Sequence, residues 1–186
     1  MIAGIKNSAE KIKILNAVSR QYPKSSLLDE VNMEIAQTYI ADEKFRDAVP
    51  YLNNIINSSS NEAGGLKPKA HLKLGLAYYN SNDNKNALSA YKELITKYPQ
   101  STESTEALAI IKDIYVEEGK PNEYLELMKE NGVTVSVSEA DSITYAAALL
   151  KYEANDCTAA INGFNNYLSR YENGAYTLDA NYLSAV

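Results

Sequence analysis

One short pattern returns along the chain: "SRQYPKS" at 19–25, "ITKYPQS" at 95–101 and, with Glu172 in place of proline, "LSRYENG" at 168–174. The tyrosines lie 76 residues apart from Tyr22 to Tyr98 and 73 apart from Tyr98 to Tyr171. Each interval is about two units of 34 to 40 residues, the period of stacked structural repeats. A unit of that length cannot enclose a core alone, so it buries its apolar face against its neighbours. The period therefore restricts the chain to a short stack of similar units.

The clearest unit runs from Pro68 to Ser101, "PKAHLKLGLAYYNSNDNKNALSAYKELITKYPQS". Ala70, Leu74, Ala77 and Tyr78 share one helical face at spacings of three and four, while Lys69, Lys73 and Asn80 point elsewhere. "NSNDN" follows as a turn whose Asn and Asp side chains cap a second helix. That helix carries Ala87, Leu88, Tyr91, Leu94 and Ile95 inward and stops before Pro99, because the residue ahead of a proline is pushed out of the helical region. Gly75 and Ala87 are the small residues that let the two helices approach. The recurring pattern is thus the end of a second helix: tyrosine packs back on the hairpin, proline stops the helix, and serine begins the connection. An apolar residue follows eight positions after each proline or its equivalent, at Val31, Ala107 and Ala180.

This unit resembles a tetratricopeptide repeat, a helix-turn-helix of about 34 residues. The resemblance rests on His71, Leu74, Gly75, Tyr78, Ala87, Tyr91 and Pro99, which fall on the family's aromatic, "LG", aromatic, small, aromatic and proline positions. It implies an all-α fold, a right-handed α-α superhelix of hairpins.

The same frame extends to the flanks. A repeat at 29–62 has Ile35, Ala36, Tyr39, Phe45, Ala48 and Ile55 in frame, with Pro50 early in its second helix and the loop "NSSSNEAGG" before the next unit. After the repeat at 68–101 comes a degenerate one at 105–132, in which Lys112 and Tyr124 replace small residues and predict looser packing. A further repeat occupies 141–174, with Ala147, Ala148, Ala160, Phe164 and Tyr167 in frame and Cys157 at a position that is usually aromatic core. Between these two, "VTVSVS" alternates like a strand but has no partner strand, which predicts an extended linker over 133–140. Residues 8–23 read as a second helix without its first, and 177–186 as the start of a first helix, an arrangement expected of an excerpt from a longer array.

Composition narrows the function. The net charge of −6 offers no clustered cations for nucleic acid, and no apolar run approaches the length of a membrane span. The first residues lack the apolar core and cleavage site of a signal peptide. His71 is the single histidine and Cys157 the single cysteine. Neither has a spaced partner for acid–base, nucleophilic or zinc chemistry, and "AGGLKP" lacks the glycine spacing that cradles a phosphate. The expectation is a non-catalytic chain with no cofactor and no metal. Most of the fifteen tyrosines fall on frame positions and read as core, which leaves Tyr79, Tyr145 and Tyr152 as contact candidates.

The resemblance also implies a binding face. In the family, contacts come from the second, fifth, ninth and twelfth positions of each first helix, here Glu30, Met33, Gln37 and Ile40, then Lys69, Leu72, Leu76 and Tyr79. This row, mixed apolar with scattered charge, suits a peptide or partner protein in the concave groove. The basic carboxylate clamp of some chaperone-binding members is not matched, since Lys69 stands almost alone. The "YP-x-S" endings and "AAINGFNNYLSRYENGAYTLDANYLSA" are similar to repeats of bacterial cell-envelope proteins, those of outer-membrane barrel assembly and of the Tol-Pal system among them. "IYVEEGKPNEYLELMKENGV" and "SEADSITYAAALL" are similar to long tetratricopeptide proteins of Bacteroidetes. The implied setting is periplasmic or outer-membrane-associated, without direct membrane insertion by this segment. The alternative is an accessory or ligand-binding domain of a larger protein, for example a glycan-binding lipoprotein, and the absence of tryptophan counts against sugar stacking.

Overall fold

The computed structural model describes residues 7–59 and 65–185. Residues 60–64, within the expected loop and "AGGLKP", lie outside the described residues, as do 1–6 and Val186. The described residues form ten α-helices and no strand: α1 (Ser8–Gln21), α2 (Leu28–Ala41), α3 (Phe45–Ile56), α4 (Leu66–Tyr79), α5 (Asn84–Lys97), α6 (Thr102–Glu117), α7 (Pro121–Glu130), α8 (Val137–Glu153), α9 (Cys157–Arg170) and α10 (Thr177–Ala185). The chain divides into two compact units, residues 1–107 and 108–186, and α6 contributes to both.

In the first unit α1 rests on α2, α2 pairs with α3, α3 packs on α4, and α4 pairs with α5. Met33, Ala36, Ala48, Leu52, Ile55, Ala70, Leu74 and Ala90 make one core from the inward positions of all four paired helices. Full burial of side chains such as Leu52 and Ile55 stabilises by about 1.5–3 kcal/mol each. In the second unit α8 pairs with α9 and α9 packs on α10, around Tyr145, Ala148, Ala160, Phe164, Tyr167 and Ala180.

Within each hairpin the turn is built the same way. The amides of Lys44, Asp83, Lys120 and Asp156 donate to the carbonyls of Tyr39, Tyr78, Tyr115 and Lys151 at 2.8–3.0 Å. Each is preceded by a left-handed residue: Glu43 (φ 58°), Asn82 (57°), Gly119 (74°) and Asn155 (59°). Asn and Gly take that conformation at low cost, and Asp83 and Asp156 then cap α5 and α9 through their side chains.

The recurring tyrosine pattern also folds alike at each occurrence. Tyr22, Tyr98 and Tyr171 end α1, α5 and α9 at φ of −126°, −130° and −124°. Their carbonyls accept the amides of Ser25, Ser101 and Gly174 at 3.0 Å, and the carbonyls of those residues accept the amides of Leu28, Ser104 and Thr177 at 3.2–3.3 Å. Ala107 and Ala180 are fully buried beyond the turn, and Val31 is half-buried. Side chains reinforce all three turns: Ser25 Oγ accepts the Leu27 amide at 3.2 Å, Ser104 Oγ donates to the Tyr98 carbonyl at 2.7 Å, and Thr177 Oγ1 donates to that of Tyr171 at 3.1 Å.

Gly75 admits the ring of Tyr91 from the facing helix, which a Cβ would approach to 2.3 Å, so its lack of a side chain lets α4 and α5 approach as expected. Three details depart from expectation. Pro50 stands sixth in an unbroken α3, beyond the first-turn donors, so the Arg46 carbonyl loses its helical partner on an exposed face that water reaches. Tyr22 is 55% exposed, because no helix precedes α1 among the described residues to receive it. Finally, the extended stretch ends at Ser136 rather than at 140, because Ser136 accepts the amide of Glu139 at 3.1 Å and starts α8 at Val137.

Candidate protein-binding face

On α4 the buried arc consists of Ala70, His71, Leu74, Gly75 and Ala77, turned toward α3 and α5. Leu72, Leu76 and Tyr79, at spacings of four and three, lie on the opposite flank and stay partly exposed, with Lys69 exposed beside them. On α2, Glu30 and Gln37 are exposed and Ile40 is partly buried against the core. Since α2 touches α4, the two short rows belong to the same unit and adjoin.

Two candidates are corrected by the fold. Met33 is 6% exposed and belongs to the core, because its position on α2 is covered by the neighbouring hairpin. Tyr145 is 9% exposed. It stacks on Tyr176 at 4.4 Å between centroids with planes 6° apart, and meets Tyr167 and Phe164 at 5.7 and 5.9 Å. Neither offers a surface to a partner. Burial also raises the pKa of the Tyr145 hydroxyl, with further contributions from Asp179 and Tyr176. Tyr152, on α8 in the second unit, is 40% exposed.

The single histidine and the single cysteine take different places. His71 is 1% exposed, with Nδ1 4.0 Å from Glu93 Oε2 and its ring 5.9 Å from that of Tyr98. Burial lowers its pKa and Glu93 opposes the shift only in part, so the imidazole is held neutral and packs as a core group. Cys157, expected in the core, is exposed instead: it opens α9 directly after the turn, where no helix covers it. Among the described residues no group of three His, Cys, Asp or Glu side chains is placed to hold a metal ion. Among them, too, no helix is long and apolar enough to cross a membrane.

Buried carboxylates tie two of the first helices, α2 and α8, to the exits of their hairpins. Asp29 Oδ2 accepts the Ser58 hydroxyl at 2.8 Å in the first unit, and Asp141 Oδ2 accepts the Ala175 amide at 2.8 Å in the second. These pairings reach from the first turns of a first helix to the segment leaving its second helix.

The second unit also holds two hollows that the repeat frame did not signal. One, of about 310 Å³, lies among Thr144, Ala147, Lys151, Gly163 and Asn166. Two of its polar groups are engaged: Thr144 Oγ1 donates to the Ala140 carbonyl and Lys151 Nζ to that of Glu117, both at 2.7 Å. The other is an open groove along residues 132–137, whose one sequence signal was the apolar alternation of "VTVSVS".

No curated protein matches the chain. The tetratricopeptide repeat family model matches residues 69–101, the α4–α5 hairpin with its exit turn, so this unit is similar to a tetratricopeptide repeat in sequence as well as in its packing.

Proposed function

We propose that the chain is a non-catalytic scaffold that captures a peptide or partner protein on the first-helix face of its hairpins. Tetratricopeptide repeats generally mediate protein–protein contacts and are typically non-catalytic, and one hairpin here matches that family. The observation that carries the reading is the apolar flank of α4: Leu72, Leu76 and Tyr79 sit partly exposed opposite the buried arc, where core packing does not require them. Glu30, Gln37 and Ile40 on α2 extend it. With Lys69 as its flanking cation, the face suits an amphipathic or extended peptide better than a phosphate or a lone carboxylate. A periplasmic or outer-membrane-associated setting is part of the proposal and rests on the resemblance of the repeat endings to those of envelope proteins.

The test is quantitative capture from bacterial envelope extracts by wild type, Leu76→Asp and Tyr79→Ala. Capture falls in both variants while helical circular dichroism is unchanged. Equal capture by all three proteins refutes the assignment of this face.

A further inference from the structure

The segment that stands outside the hairpin period provides a second surface. Residues 133–136 run between α7 and α8 with no helical turn, and Ser136 is extended at φ −68° and ψ 155°. The Val133 amide closes α7 by donating to the Met128 carbonyl at 2.9 Å. The next amides, those of Thr134, Val135 and Ser136, have no hydrogen-bond partner among the described residues. These amides, on a stretch with no regular structure, are donors open to pairing with another extended chain.

Beside it lies the open groove of about 620 Å³, with apolar walls from Leu125, Val135, Val137 and Tyr171. Val137, at the rim of the groove, is 79% exposed. The charged residues of the lining are Lys129 and Arg170, and it contains no carboxylate. Neither cation has an ion-pair partner among the described residues. Arg170 donates to Asn122 Oδ1 and lies 5.7 Å over the Tyr171 ring, which occupies only part of its guanidinium fork. In a chain of net charge −6, a groove whose only charges are positive selects against most of the chain's own surface and for an acidic ligand.

We propose that this groove binds an extended acidic peptide from a partner protein. The backbone of the peptide pairs with residues 134–136, its alternate apolar side chains enter between Leu125 and Val137, and a carboxylate meets Lys129 and Arg170. This surface is separate from the α4 row and does not depend on it.

The probe is a fluorescent peptide of alternating valine and aspartate with a free terminal carboxylate, titrated by fluorescence polarisation. Saturable binding is expected below about 1 mM. It weakens at least about tenfold in the Lys129→Gln, Arg170→Gln double variant, and by a similar factor when alternate peptide amides are N-methylated. Leu76→Asp leaves it unchanged, and Lys129→Gln alone, at an exposed position, guards against misfolding of the double variant. Absence of saturable binding, binding indifferent to the two cations or to N-methylation, or loss of binding in Leu76→Asp each overturns the proposal.

Discussion

A side chain at position 75 would place its Cβ 2.3 Å from the Tyr91 ring, which is fully buried and has nowhere to retreat. Gly75→Leu is therefore expected to destabilise the first unit by about 1–3 kcal/mol through overpacking, read as a lowered thermal midpoint. An unchanged melt contradicts the close approach of α4 and α5. His71 makes a different prediction at the same interface. Its folded pKa lies below the unfolded value of about 6.5, because burial disfavours the imidazolium. Between those two values the unfolded chain binds more protons, so the stabilisation is fully present above about pH 6.5 and is lost as pH falls through the folded pKa. Denaturant midpoints measured from about pH 7.5 down to about pH 5 should decline for the wild type and decline less for His71→Gln. Equal declines would place the pH dependence elsewhere.

At the scale of elements, the exit turn is the most repeated device. Ser104 is 2% exposed, and its hydroxyl is 2.7 Å from the Tyr98 carbonyl. That carbonyl keeps a second bond from the Ser101 amide, and the Leu94 carbonyl, 3.3 Å from the same hydroxyl, keeps the Tyr98 amide, so Ser104→Ala orphans neither acceptor while also removing the bond that Ser104 Oγ accepts from the Ser101 hydroxyl at 3.1 Å. The expected cost is about 0.5–1.5 kcal/mol, with faster hydrogen exchange confined to the turn after α5; unaltered exchange there would show that the side chain is dispensable. This turn was legible in the sequence because proline and the tyrosine spacing mark it locally. What was not legible depends on contacts distant in sequence. Tyr145 faces outward in the repeat frame, but Tyr176 folds over it after the exit turn, and no spacing within α8 foretells that. Met33 is covered by the next hairpin for the same reason. The start of α8 was masked because the alternation of "VTVSVS" overlaps a helix whose cap is Ser136. Cys157 occupies a frame position that is usually core, yet its place at the first residue of α9 leaves it exposed.

For the molecule as a whole, the same turn chemistry in both units and the pairing of neighbouring helices describe a chain whose stability is a sum of local terms. A fold of that kind frees the flank of a first helix for recognition, since the core needs only its inner arc. The central claim is that the flank of α4 is where a partner sits. Site-specific photo-crosslinking tests it most directly, with a photoreactive phenylalanine analogue in place of Leu76 in one protein and in place of Ser89, exposed on α5, in another. The expected result is a partner adduct from position 76 and none from position 89. An adduct formed only from position 89, or equally from both, would contradict the claim.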